Sequence, residues 1–149
     1  MKDTRAILVL SVAAVGTALG LSSCAAEGGD EGFDTLAAIS FIDAAGLHAI
    51  DTAINEEKTI PADAQAKAVK LESVLAGADW PEELEDEAEA VEAALRELAE
   101  ALDAEAPDMA KAGAAAEKAH ETSHDFSGLV WSHLREEAGL EVEEGAGHD

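Results

Sequence analysis

Two histidines, His120 and His124, are four residues apart in a segment with the apolar periodicity of a helix. On an α-helix this spacing places two side chains about 40° apart and one turn along the axis, so both imidazoles project from one side. Two imidazoles at this spacing can bind a single metal ion, as they do in helical zinc sites. The pair therefore predicts a transition-metal site on this helix.

A third histidine and a carboxylate lie far upstream, in the apolar segment that contains His48 and Asp51. If this segment runs antiparallel to the helix of His120, the two histidines differ in height by about 6 Å. We therefore predict a site formed by His48, His120 and His124. Asp51 would be a fourth ligand or the acceptor that fixes the tautomer of one imidazole. Such a set suits Zn(II), Cu(II), Ni(II) or Fe(II).

Asp43, Glu117 and Glu121 are weaker candidates for ligands. Glu117-x-x-His120 and Glu121-x-x-His124 match the Glu-x-x-His spacing of ferritin-like di-iron sites. Those sites take the motif from two different helices, whereas both copies here lie on one predicted helix, so di-iron chemistry is not expected. Haem is not expected either, because the sequence has no Cys-x-x-Cys-His attachment motif. No nucleophile elbow is visible, which disfavours an enzyme.

The first 24 residues have the order of a secretion signal. Lys2 and Arg5 precede an uncharged apolar run over 6–21, which is short for a membrane span of roughly 20 residues. The run ends in Leu-Ser-Ser-Cys, with Cys24 as the single cysteine. This ending resembles the lipobox of bacterial lipoproteins. The resemblance implies cleavage before Cys24, diacylglycerol with acyl chains such as palmitate on its thiol, and anchoring on the extracytoplasmic side of a membrane, facing the periplasm or the cell surface.

Composition and chain breaks predict the elements that would position these residues. Aromatic residues make up only 3% of the chain, while Ala, Glu and Leu are abundant, which favours helices over a β-sandwich. Prolines and glycines divide the middle of the chain into four predicted helices, near 32–56, 61–76, 81–104 and 108–138. Short connections between them favour an all-α, up-down-up-down antiparallel four-helix bundle. The predicted organisation is a signal peptide 1–23, a lipidated flexible tether 24–31, the bundle 32–138 and a disordered acidic tail 139–149.

Apolar stripes predict which side of each helix faces the core. The third helix has the clearest stripe: Leu84, Ala88, Val91, Leu95, Leu98 and Leu102. The second repeats it more weakly with Ala64, Ala68, Leu71 and Leu75. In the first helix the predicted face contains Phe33, Leu36, Leu47, Ile50 and Ile54. In the fourth it contains Met109, Ala112, Ala116, Phe126, Val130 and Leu134, and the same arc includes His120.

Charge limits the partners of the protein. The chain has 33 acidic and 9 basic side chains, for a formal net charge of −24. Such a charge repels nucleic acid and attracts cations or a basic protein surface. Two functions remain open. One is an extracytoplasmic lipoprotein that buffers, carries or senses a transition metal, and the other is a non-catalytic structural or adaptor lipoprotein that binds a basic protein and uses its histidines only for packing.

Overall fold

The computed structural model describes residues 31–140, and these residues form an all-α fold without a strand, as predicted. The helices are α1 (Glu31–Asp43), α2 (Leu47–Asn55), α3 (Ala64–Gly77), α4 (Glu85–Leu102) and α5 (Met109–Glu137), and a short 3-10 turn, Glu82–Leu84, precedes α4. The predicted signal peptide 1–23, the predicted lipidation site Cys24 and nearly all of the predicted tether 24–31 lie outside the described residues. So does the predicted tail beyond residue 140.

The core between α3 and α4 follows the predicted stripes. All six residues of the stripe predicted on the third helix are buried: Leu84, Ala88, Val91, Leu95, Leu98 and Leu102. The four predicted residues of α3 are buried as well: Ala64, Ala68, Leu71 and Leu75. Alanines within both stripes let the two backbones approach closely, and the leucines fill the space between them. The predictions for these two helices are confirmed.

The first predicted helix, 32–56, is wrong as a single element, because it is interrupted at Gly46. This glycine has φ +73°, a left-handed conformation that an L side chain rarely adopts, and it separates α1 from α2. Because of this turn, the apolar side of α1 does not continue the helical periodicity of the apolar side of α2. Phe33 is consequently 66% exposed and Leu36 is also exposed, although both were predicted to face the core, while Ile39 and Ile42 are buried.

The stretch Gly32–Asn55 has the length and apolar composition of a membrane-spanning helix. A core helix of a water-soluble domain passes the same test. Four isoleucines contribute much of the apolar character, and all are buried against other helices: Ile39, Ile42, Ile50 and Ile54. The break at Gly46 also divides this stretch into two short helices.

Helix α5 is the longest of the described helices, with 29 residues, and it contacts α1, α2 and α4. Its start is set by Asp108, whose side chain accepts hydrogen bonds from the backbone N–H groups of Ala110 and Lys111 at 2.9 and 3.1 Å. Met109 is exposed rather than part of the apolar arc, whereas Phe126 and Val130 are buried as predicted. Helix α5 therefore begins at an acidic cap and places Phe126 and Val130 in the core.

The connection between α3 and α4 is held against α5 by Trp80. Its indole Nε1–H donates to the carbonyl oxygen of Leu75 at 3.0 Å, near the end of α3. Its ring packs edge to face on Phe126, with a centroid distance of 4.9 Å. The indole thus satisfies a carbonyl at a helix end and joins three segments of the chain.

Candidate functional site

A histidine–carboxylate pair joins α2 to α5. His120 Nδ1 lies 3.0 Å from Asp51 Oδ2, and both side chains are partly buried. A carboxylate beside Nδ1 favours the tautomer with the proton on Nδ1, which leaves Nε2 with a free lone pair. Of the two roles predicted for Asp51, this geometry matches that of an acceptor that orients an imidazole.

The other oxygen of the Asp51 carboxylate is also occupied. Asn55 Nδ2 donates to Asp51 Oδ1 at 2.6 Å and to the backbone carbonyl oxygen of Gly113 at 2.9 Å. Asn55 lies one helical turn after Asp51, so one side chain links the carboxylate to the backbone of α5. The carboxylate therefore has both oxygens fixed before any ligand binds.

Gly113 is needed for this contact. A Cβ at Gly113 would lie 2.2 Å from Asn55 Oδ1, far inside the van der Waals contact distance. Sequence reasoning missed both Asn55 and Gly113. The available signals were an isolated glycine inside an alanine-rich helix and an asparagine four residues after a carboxylate.

His48 completes the group from α2. It lies three residues before Asp51 on the same helix, and its ring centroid is 4.9 Å from that of His120, with the planes tilted by 58°. The His48 side chain is exposed, so this edge of the pair is open to solvent. We call His48, Asp51, Asn55 and His120 the imidazole cluster.

The remaining predicted ligands lie apart from these contacts. His124 is exposed, and the ring that contacts His120 is that of His48. Glu117 and Glu121 are also exposed on α5. Within residues 31–140, no three His, Cys, Asp or Glu side chains form a group arranged to bind a metal ion. The structure therefore brings together two of the three predicted histidines and one of the predicted carboxylates.

Asp43 has a different role. Its two carboxylate oxygens accept hydrogen bonds from Ser127 Oγ at 2.8 Å and from Trp131 Nε1 at 2.9 Å. Both donors belong to α5, so Asp43 ties the end of α1 to the later turns of that helix. This carboxylate links two helices and does not contact the imidazole cluster.

Comparisons of the chain with family models, curated proteins and solved structures found no match. What the imidazole cluster can do must therefore follow from its own chemistry. One imidazole is oriented by a fixed carboxylate, and a second, exposed imidazole lies beside it. Imidazoles are common ligands of transition-metal ions, and two of them would leave further coordination positions for water or another ligand.

Proposed function

We propose that the protein is an extracytoplasmic, membrane-anchored lipoprotein that binds a transition-metal ion through His48 and His120. The observation that supports this most is the continuous set of contacts from Asn55 to Asp51 to His120, with His48 beside it. In metal sites, a histidine ligand commonly donates its second ring N–H to a carboxylate, which orients the ring and raises its basicity. Asp51 would have this role here.

The composition of the imidazole cluster favours an exchangeable ion over a structural one. Closed structural zinc sites use four protein ligands, whereas His48 and His120 supply two. Water or a group from another molecule would occupy the remaining positions. Imidazole ligands suit Zn(II), Cu(II), Ni(II) and Fe(II), and the general order of stability places Cu(II) highest among these. A buffer or carrier of a divalent transition metal fits this arrangement.

We propose further that the helices form an up-down-up-down antiparallel bundle. The contacts of α5 support this arrangement. Asn55 contacts Gly113, Asp51 contacts His120, and Asp43 contacts Ser127 and Trp131. Residue numbers thus fall along α1 and α2 as they rise along α5, as they do in antiparallel neighbours.

A non-catalytic adaptor that binds a basic protein is the second candidate. The observation in its favour is the outer side of α1, which exposes Phe33, Leu36 and Phe41 in a strongly acidic chain. Exposed apolar residues surrounded by charge are typical of protein-binding surfaces. In this case the imidazole cluster would only join α2 to α5, and the protein would bind no transition metal.

Metal analysis distinguishes these two functions. The full chain, purified in detergent without a histidine tag or chelator, is dialysed against Cu(II), Ni(II), Zn(II) or Fe(II) and analysed for bound metal. We expect one ion per chain, bound most tightly for Cu(II). His48→Ala and His120→Ala should each abolish stoichiometric binding, because each removes one of two ligands. Asp51→Asn should weaken binding about tenfold, as is typical for the loss of an orienting partner.

His133→Ala is the matched control, because His133 lies on the same helix as His120 but contacts Glu83 and Glu137 instead of Asp51. It should bind metal as the unmodified chain does. His124→Ala tests the third predicted ligand, and we expect only a small change because the ring that contacts His120 is that of His48. If the unmodified chain retains none of the four metals, the metal-binding function is wrong and the adaptor function is favoured.

Lipid anchoring is tested by Cys24→Ser. The lipobox resemblance predicts that the unmodified chain, expressed in a bacterium, sediments with membranes and carries the mass of a diacylglycerol. The variant lacks the thiol and should lose this mass, and it should accumulate as uncleaved precursor or leave the membrane fraction. His48→Ala serves as the control and should remain anchored. Equal mass and equal fractionation of the Cys24→Ser and unmodified chains would contradict lipidation at this position.

A further inference from the structure

A second concave site lies away from the imidazole cluster, where the start of α1, the connection before α4 and the end of α5 meet. This cleft has a volume of about 390 Å³, within the range of small-molecule sites. Four carboxylates line it: Asp79, Glu82, Glu83 and Glu137. Neither lysine nor arginine is among the described residues that line it. The cleft therefore has a strongly negative lining.

One imidazole lies among these carboxylates. His133 Nδ1 is 3.1 Å from Glu83 Oε1, and its Nε2 is 3.6 Å from Glu137 Oε1. The His133 side chain is only 16% exposed, so its position is set by packing rather than by solvent. When protonated, it supplies one positive charge to a cleft with four carboxylates. The lining therefore retains an excess of negative charge that would attract a cation.

A buried hydroxyl in the same cleft has no partner. Thr35 lines the cleft and is 1% exposed, and its Oγ1 makes no hydrogen bond. Within residues 31–140 it is the one buried side-chain oxygen or nitrogen in this state. Buried hydroxyl groups are nearly always hydrogen-bonded, because leaving one unpaired is costly. Because Oγ1 itself is closed to solvent, a ligand N–H group would have to displace neighbouring atoms slightly to reach it and supply the missing partner.

Trp80 gives the cleft an apolar wall. Its Nε1–H is already bound to the carbonyl oxygen of Leu75, so the indole offers its ring rather than its N–H group. An indole ring attracts ammonium groups and packs against methylene groups. Carboxylates, an unpaired hydroxyl and an indole together suit an organic cation better than a bare metal ion, which would occupy little of the volume.

We propose that this cleft binds a small organic amine in its ammonium form. The carboxylates neutralise the charge of the ammonium group, and Thr35 Oγ1 accepts a hydrogen bond from one of its N–H groups. The Trp80 ring covers the alkyl part of the amine. This proposal goes beyond metal binding and is independent of it, because the cleft and the imidazole cluster share no residue.

The test uses putrescine, a four-carbon diamine, with the full chain in detergent at constant ionic strength. Binding is followed by NMR of the two indole N–H groups and by calorimetry. We expect saturable binding of one putrescine that shifts the Trp80 signal and leaves the Trp131 signal, whose N–H is bound to Asp43, unchanged. The neutral diol 1,4-butanediol should not bind, because it lacks the charge.

Thr35→Val and Glu137→Gln are the informative variants. Each should raise the Kd for putrescine about fivefold, the size of one hydrogen bond. Thr35→Val should also raise the melting temperature of the free protein, because it removes an unpaired hydroxyl at nearly constant volume. Weaker binding in a more stable protein cannot result from unfolding.

Two matched controls separate the cleft from the general acidity of the chain. Thr122→Val removes a helical hydroxyl that is already bonded to the Lys118 carbonyl oxygen, and Glu105→Gln removes an exposed charge outside the cleft. Both should leave the Kd for putrescine unchanged. The proposal is overturned if putrescine binding is not saturable, if Thr35→Val and Glu137→Gln leave the Kd unchanged, or if Glu105→Gln weakens binding as much as Glu137→Gln.

Discussion

Phe126→Ala is expected to lower the free energy of unfolding by about 3–5 kcal/mol, the usual cost of truncating a buried phenylalanine. Phe126 is 1% exposed and belongs to the main core cluster. Its ring also packs edge to face with that of Trp80. The substitution therefore leaves a cavity beneath the connection between α3 and α4. Urea unfolding followed by far-UV circular dichroism measures the change as a lower midpoint at similar slope.

Leu129→Ala is the matched control for Phe126→Ala. Leu129 lies three residues further along α5 and is 46% exposed, so its truncation removes little buried area. We expect a change within about 0.5 kcal/mol, as for most surface substitutions. Similar destabilisation by the two variants would show that the side of α5 assigned to the core is wrong.

Gly113→Ala is expected to destabilise the protein by about 2 kcal/mol, although alanine is the better helix former by about 1 kcal/mol. The new Cβ would lie 2.2 Å from Asn55 Oδ1, so the Asn55 side chain must move. Its bonds to the Gly113 carbonyl and to Asp51 would then be lost. If His48 and His120 bind metal, the affinity should also fall about tenfold, because Asp51 no longer holds His120 in place.

Gly128→Ala is the control for Gly113→Ala, because nothing lies within 4 Å of a Cβ built at this other glycine of α5. This variant should gain stability, by about 0.5–1 kcal/mol. The double variant Asn55→Ala/Gly113→Ala should be less destabilised than the sum of the single variants, since removing the amide relieves the clash. Additive effects would mean that Gly113 does not accommodate Asn55.

Helix α5 carries both candidate sites at different heights. His120 lies near its middle and faces Asp51 of α2, whereas His133 and Glu137 lie near its end and line the cleft. Phe126 lies between these positions in the sequence and supports Trp80, which lines the cleft. A loss of core packing at Phe126 should therefore affect putrescine binding more than metal binding.

Local spacing predicted much of the fold. The regular stripe of α4 is short-range information, since residues three and four apart share a helix face wherever the helix lies. It was therefore predictable that Val91, Leu95 and Leu98 would be buried. In the same way, the spacing of His120 and His124 predicts that both imidazoles project from one side of a helix. It does not predict which residue of another helix each imidazole contacts.

The prediction of a single first helix was wrong because one residue, Gly46, interrupts the helical periodicity. Gly46 adopts a left-handed conformation that ends the helical repeat. The prediction assumed one continuous helix across Gly46 and therefore placed Phe33 and Leu36 on the core-facing side, which is wrong. Gly113 and Gly128 lie inside α5, so the presence of a glycine did not by itself show that a helix ends at Gly46. Packing of Ile39 and Ile42 into the core decided the orientation of α1.

Composition and short-range spacing were enough to predict the helical class, the inward side of α3 and α4, and the residue types available for metal chemistry, because these features depend only on residues within one helix. Tertiary structure decided that His120 meets His48 and Asp51, that Asn55 requires Gly113, and that the unpaired hydroxyl of Thr35 lies in a carboxylate-lined cleft. These contacts join residues far apart in the chain. They depend on the relative rotation and height of packed helices, which no periodicity within a single helix specifies.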